Sequence, residues 1–166
     1  MSEADILRLF PQIDTRGFRV TSENTPRYNC IGWAMEDDQN RWWPQEGWYW
    51  PPGVPRQCTI EAFSQAFATR GYAIDPTNSA ESEDGFQKVA LYARNDSPTH
   101  AARQIGSAWT SKLGQLEDIS HATPQCVAGG GYGQVVRMFR RAVIAPPTVS
   151  TARLVLQRRA KGKRRF

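Results

Sequence analysis

The residues best suited to nucleophilic chemistry are a cysteine and a histidine. Cys30 lies in the stretch "PRYNCIGWAMEDD", directly after an asparagine and before a short apolar run, and His100 lies in "SPTHAARQ". A thiol becomes an effective nucleophile when it ionises, and a helix start or an adjacent imidazole favours the thiolate. The pair therefore predicts attack by Cys30 on a carbonyl with His100 as base, against the commoner alternative of a small buried thiol.

Such a pair also needs a third polar group that holds the imidazole in the correct tautomer. We expect Asp118 to fill this role, because a carboxylate both orients and stabilises an imidazolium. His121 could replace it, although a histidine in this context is more often a satisfied surface or loop residue. The other candidates downstream of His100 are Ser111, Lys112 and Glu117.

An acyl-transfer site also requires donors that stabilise the oxyanion. The backbone N–H of Cys30 is one candidate, and the side-chain amide of Asn24 or Asn29 is another. Asn29 is equally suited to cap the helix that begins at Cys30.

The remaining cysteines and the glycine-rich segment have simpler explanations. Cys58 is a second-choice nucleophile, and Cys126 is expected to be structural. Three cysteines without a Cys-x-x-Cys pair suggest neither a disulfide framework nor a zinc site, so no metal or cofactor is expected. The "GGGYG" segment at 129–133 lacks the lysine of a phosphate-binding loop and predicts a turn with positive φ.

The elements that must position these residues suggest an α+β fold. Helices are predicted at 3–14, from Cys30, and over 59–70, with Thr59 as cap and Gly71 as terminator. A proline- and tryptophan-rich loop separates the second from the third, and a polar connector over 72–85, expected to be a mobile surface loop, follows. Strands at 86–94, 99–105 and 107–114 form an antiparallel meander, and 133–144 fits either a strand or a helix.

The net charge of +5 is concentrated at one end of the chain. Residues 151–166 hold seven basic and no acidic residues, which leaves 14 basic against 16 acidic ones elsewhere, or about −2. We therefore expect a single domain over 1–145 and a basic, disordered tail over 146–166. This tail could contact nucleic acid or another acidic partner.

No apolar run approaches the roughly 20 residues of a membrane span, and the N-terminus is acidic. The expected location is the cytoplasm, or export without an N-terminal signal peptide.

Several motifs together resemble a bacterial family that has no settled activity. They are "YNCIGWA", "WWP", "YWP", "KVALYA", "THAARQ", "WTSKLG" and "EDISH", and the likeness spans roughly residues 18–141. The order of a cysteine at a helix start, a strand-opening histidine and a later polar residue resembles the papain-like fold of NlpC/P60 and CHAP hydrolases. The resemblance implies Cys30 as nucleophile and His100 as base, with N-terminal helices packed on a C-terminal antiparallel sheet.

Two functions are therefore expected. One is a papain-like thiol hydrolase or amide transferase (a peptidase, amidase or deamidase) that acts on a protein or peptide. The other is a non-enzymatic binding protein that uses its basic tail and tryptophan-rich surface.

Overall fold

The computed structural model describes residues 2–13 and 17–143, which form an α+β fold around one seven-stranded antiparallel sheet. The strand order across the sheet is β1-β6-β5-β4-β3-β7-β2. The helices are α1 (Glu3–Leu9), α2 (Cys30–Ala34), α3 (Ile60–Ala68) and a 3₁₀ helix (Pro124–Val127). The strands are β1 (Arg19–Val20), β2 (Ala73–Ile74), β3 (Phe86–Arg94), β4 (Ser97–Ile105), β5 (Ala108–Lys112), β6 (Asp118–His121) and β7 (Gln134–Ala142).

The predicted meander is present as β3, β4 and β5, and two further strands extend it. The "DISH" segment, not predicted as a strand, is β6 and pairs with β5. The ambiguous 133–144 segment is the strand β7, which pairs with the far edge of β3 rather than following β6. Since this return connection is set by long-range pairing, local periodicity could not reveal it.

Each face of the sheet has its own hydrophobic cluster. The helix face carries Val89, Leu91, Ala101 and Phe139, and α2 and α3 pack against it. The opposite face carries Ala90, Tyr92, Ala102, Trp109 and Met138, together with Ile6 of α1. The one-residue alternation between the two sets follows from the period of a strand, and it decides which polar side chains can meet.

Asn29 joins the start of α2 to the tryptophan-rich segment, which we call the Trp loop (residues 41–56). The Asn29 Oδ1 accepts hydrogen bonds from the backbone N–H groups of Gly32 and Trp42, both at 3.0 Å, and its Nδ2 donates to the Trp42 carbonyl at 2.9 Å. Trp42 and Trp50 are buried in the helix-face cluster. The prolines of this loop thus coincide with irregular, well-packed structure.

The connector after β2 is not the free surface loop that its polar composition suggests. Asp75 is buried and lies 2.9 Å from the Nζ of the equally buried Lys88. The Ala80 carbonyl accepts hydrogen bonds from Gln104 and from the Trp109 indole. Buried polar groups need partners, and this segment supplies them to the opposite face of the sheet.

The described residues end at 143, so the predicted domain boundary at 145 and the basic tail lie outside them. Within the described residues, no helix has the length and apolar character that crossing a bilayer requires.

Candidate functional site

Cys30 is the first residue of α2 and lies beside strand β4. Its thiol is buried and belongs to the helix-face cluster that contains Ala101. Within the described chain, β5 pairs with β4 only over Arg103–Ile105, so α2 packs next to the β4 segment from which β5 has separated. The backbone N–H of Ala101 acts on the sulfur, which places the thiol next to the residue that follows His100.

Burial dominates the ionisation of this thiol. It raises the pKa of Cys30 to about 11, although hydrogen bonding from the backbone amides of Ala101, Ile31 and Cys30 itself opposes the shift. A group with this pKa is a neutral thiol at pH 7. The start of a five-residue helix therefore does not by itself produce a thiolate here.

His100 lies at the head of a chain of hydrogen bonds on the opposite face of the sheet. Its Nε2 lies 3.0 Å from Ser111 Oγ, and this oxygen lies 2.9 Å from His121 Nε2. His121 Nδ1 in turn lies 2.8 Å from the Thr123 carbonyl oxygen. Ser111 and both histidines have no exposed surface, so the chain is shielded from water.

The chemistry of the last acceptor fixes the direction of every bond in the chain. A carbonyl oxygen only accepts, so His121 Nδ1 carries its proton and, in a neutral ring, Nε2 accepts from the Ser111 hydroxyl. Ser111 has then used its one proton and must accept from His100 Nε2–H. Neutral His100 is thus left with a lone pair on Nδ1, and this atom is buried with no hydrogen-bond partner.

Tyr132 covers His100. The two rings stack with centroids 3.9 Å apart and planes 9° from parallel, and the ring of Tyr92 contacts the imidazole edge-on at 5.1 Å. Burial, and to a smaller extent the electrostatic influence of the neighbouring His121, lowers the pKa of His100 to about 3. The resting imidazole is therefore neutral, and in this covered state it binds a proton only weakly, so it becomes an effective base only when its environment is less buried.

The glycine-rich segment that carries Tyr132 is a turn, as predicted. Gly129, Gly130 and Gly133 all have positive φ. At Gly133 a Cβ would lie 2.0 Å from the Ala93 carbonyl oxygen, so this position requires glycine. The turn is also held by the Thr99 hydroxyl, which donates to the Tyr132 carbonyl.

Asp118 does not lie beside His100, which corrects its expected role as the group that orients the imidazole. It is opposite Lys112 in the β5–β6 ladder, accepts a hydrogen bond from the Tyr28 hydroxyl at 2.6 Å, and lies 3.7 Å from Lys112 Nζ. Strand alternation places these groups on the helix face, whereas His100 projects from the other one. Ser111 occupies the place beside the imidazole.

The other predicted residues fall at different positions. The oxygen and the nitrogen of the Asn29 amide both bind backbone groups of α2 and the Trp loop, so Asn29 is a structural cap. Cys30 and His100 share no hydrogen bond in the described chain. Cys58 is exposed, with its sulfur 3.7 Å from the Pro98 carbonyl oxygen, and Cys126 is buried.

Sequence reasoning missed the link between Ser111 and His121 and the stacking of Tyr132. The first had a usable signal, because residues 111 and 121 project from the same face once β5 and β6 form a hairpin. The second had none, since it depends on where the glycine turn folds back.

No cluster of three or more histidine, cysteine or acidic side chains that could hold a metal ion occurs within residues 2–13 and 17–143.

Comparison with known proteins identifies a family. Residues 19–140 match the model of a domain of unknown function, DUF7689. The match spans most of the chain, which therefore belongs to this family. No curated protein and no solved structure matches the chain.

Proposed function

We propose that this DUF7689 protein is a thiol acyl-transfer enzyme of papain-like type, a hydrolase or amide transferase that acts on a protein or peptide. Cys30 is the nucleophile and His100 is the general base. Ser111 and His121 are positioning residues that hold the imidazole in one tautomer.

The observation that carries this proposal is that His100 Nδ1 is buried without a hydrogen-bond partner in the described chain. A general base must present an unprotonated nitrogen, and the chain from Ser111 to the Thr123 carbonyl leaves Nδ1 as that atom. The adjacent residue, Ala101, directs its backbone N–H at the Cys30 sulfur. The thiol thus lies beside the peptide unit that joins His100 to Ala101, whereas the imidazole projects from the other face of the sheet. The proposed reaction therefore requires a movement that brings His100 Nδ1 to the Cys30 sulfur.

The proposed reaction begins once this movement has placed His100 Nδ1 against the thiol. His100 Nδ1 takes the thiol proton as the Cys30 sulfur forms a bond to the carbonyl carbon, and the backbone N–H groups of Cys30 and Ala101 are candidates to stabilise the oxyanion. The imidazolium then protonates the leaving amine as the C–N bond breaks. Water, or an acceptor amine, attacks the resulting thioester with its proton passing to Nδ1, and the thiol is regenerated.

The described structure is a resting state in which the reacting groups are neutral and covered. Tyr132 stacks on the imidazole, and neither Cys30 nor His100 is exposed to solvent to any useful extent. Turnover in this account requires Tyr132 to move aside, and the three glycines with positive φ in its turn are where the backbone can adapt.

The test uses an active ester, p-nitrophenyl acetate, on full-length protein that carries Cys58→Ser and Cys126→Ser. Cys30 is then the one thiol left, and acylation is followed by intact mass and by release of nitrophenolate. We expect acetylation of Cys30 and a loss of at least ~100-fold in its rate in His100→Gln, since general base catalysis contributes 10²–10⁴-fold. Cys30→Ser is the blank.

A rate that His100→Gln leaves unchanged would contradict the proposed base, and an unmodified Cys30 would contradict the nucleophile.

The alternative, a binding protein that uses a tryptophan-rich surface, keeps limited support. Trp42 and Trp50 close the core, and their rings are unavailable for stacking on a ligand. Trp48 is half-buried and lies next to an arginine. The predicted role of residues 151–166 in binding nucleic acid or an acidic partner concerns a segment outside the described residues.

A further inference from the structure

A cleft of about 340 Å³ lies on the outer side of the Trp loop, apart from the thiol and the histidine chain. Its volume is at the lower end of the range for small-ligand sites. One lining residue, Arg41, directly precedes Trp42, whose backbone binds the α2 cap Asn29. The side chains that matter here are those of Arg27, Gln39, Asn40, Arg41, Trp48 and Tyr49.

Two guanidinium groups line this cleft without an acidic partner among the described residues. The Arg41 guanidinium lies 4.0 Å from the centroid of the Trp48 ring, and its Nε is buried without a hydrogen-bond partner. Arg27 donates from Nε to the Asp38 carbonyl, which leaves its two terminal nitrogens free of protein partners in the described chain. Because Arg41 Nε is buried, an anion in the cleft would be held by the terminal guanidinium nitrogens of Arg27 and Arg41.

The surrounding charges favour an anion with a single negative charge. Asp37 and Asp38 directly precede two lining residues, Gln39 and Asn40, and hold their side chains through hydrogen bonds. The charge of Asp37 is paired with Arg70 at 3.8 Å, so Asp38 offsets one of the two positive charges of Arg27 and Arg41. A planar guanidinium pairs with a carboxylate through two parallel hydrogen bonds, and Trp48 already fixes the plane of the Arg41 group.

We propose that this cleft binds a peptide carboxylate, held by Arg41 and Arg27 beside the Trp48 ring. The carboxylate belongs either to an acidic side chain or to a chain terminus, since both present the same group. This site does not depend on the thiol chemistry, because its test measures binding alone.

The experiment follows the indole N–H signal of Trp48 by NMR in the full-length protein. The ligands are N-acetylglutamate methylamide, N-acetylglutamine methylamide as neutral isostere, N-acetylglycylglycine with its terminal carboxylate, and inorganic phosphate. We expect a carboxylate ligand to bind at least ~10-fold more tightly than the glutamine isostere. The tighter of the glutamate and glycylglycine ligands identifies the source of the group.

The variants are Arg41→Gln and, as a matched control outside the cleft, Arg19→Gln. Arg41→Gln should weaken carboxylate binding at least ~10-fold and Arg19→Gln should leave it unchanged. If Arg41→Gln does not fold, the carboxylate affinity of Arg27→Gln is measured instead. The proposal is overturned if the isostere binds as tightly as the carboxylates, if phosphate binds more tightly than either, or if the cleft variants bind like the control.

Discussion

The wild-type protein should lose unfolding free energy in mild acid because His100 is buried as a neutral ring, and His100→Gln should abolish this part of the pH dependence. His100 is buried as a neutral ring with a pKa of about 3, against 6.5 for the free side chain. As the pH falls, the unfolded chain takes up the proton before the folded one does. The stability linked to His100 is therefore fully present above pH 6.5 and is lost as the pH falls toward 3.

The size of the effect follows from the two pKa values. At about pH 5.5, one unit below the unfolded value, roughly ten of eleven unfolded molecules carry the proton and almost no folded ones do. The free energy of unfolding then falls by about 1.4 kcal/mol relative to pH 8. The limit at very low pH is about 5 kcal/mol, an order-of-magnitude figure for a buried group.

The measurement is urea unfolding of the wild type and His100→Gln at about pH 8 and pH 5.5. Glutamine keeps a donor for Ser111, and the carboxylates titrate mostly below this window. The wild type should lose about 1.4 kcal/mol more than the variant between the two values. Equal losses would refute the claim that His100 is held neutral, whatever the absolute stability of the variant.

Three further substitutions test the supports of the site. Asn29→Ala leaves two buried backbone N–H groups unpaired and should lower the free energy of unfolding in urea by about 2–4 kcal/mol. Thr59→Ala removes a cap that accepts one such bond and should lower it by about 1 kcal/mol. Equal losses would contradict the claim that Asn29 holds both α2 and the Trp loop. Gly133→Ala, which meets a carbonyl oxygen, should destabilise by more than about 2 kcal/mol and Gly130→Ala, in open space, by about 1. Tyr132 lies near enough to Cys30 for the thiolate charge to raise the pKa of the tyrosine. Tyr132→Leu should therefore speed iodoacetamide modification of Cys30 in the Cys58→Ser, Cys126→Ser background, and an unchanged rate would show that Tyr132 does not cover the thiol.

The sequence was sufficient for those parts of the fold that local patterns determine. Asn29 and Thr59 cap α2 and α3 as their types predict, and the meander follows from runs of strand-forming residues. The position of β7 beside β3 could not be predicted, because pairing between residues about 50 positions apart leaves no trace in the local hydrophobic periodicity.

For the polar residues of the site, too, residue type could be read from the sequence, whereas the partners depended on strand pairing. Their types suggested Asp118 as the partner of His100, on the sound chemical ground that carboxylates orient imidazoles. The one-residue alternation of β6 sends Asp118 to the helix face and His121 to the other. A hydroxyl and a second histidine, rather than a carboxylate, therefore complete the chain.

The most direct test of the account is the protonation state of the two His100 nitrogens. Long-range ¹H–¹⁵N spectra of the full-length protein near pH 7, with His100→Gln to assign the signals, distinguish a protonated ring nitrogen from one with a lone pair. The account predicts a neutral ring with the proton on Nε2 and the lone pair on Nδ1. A proton on Nδ1 would contradict it, because His100 would then have no base to offer Cys30.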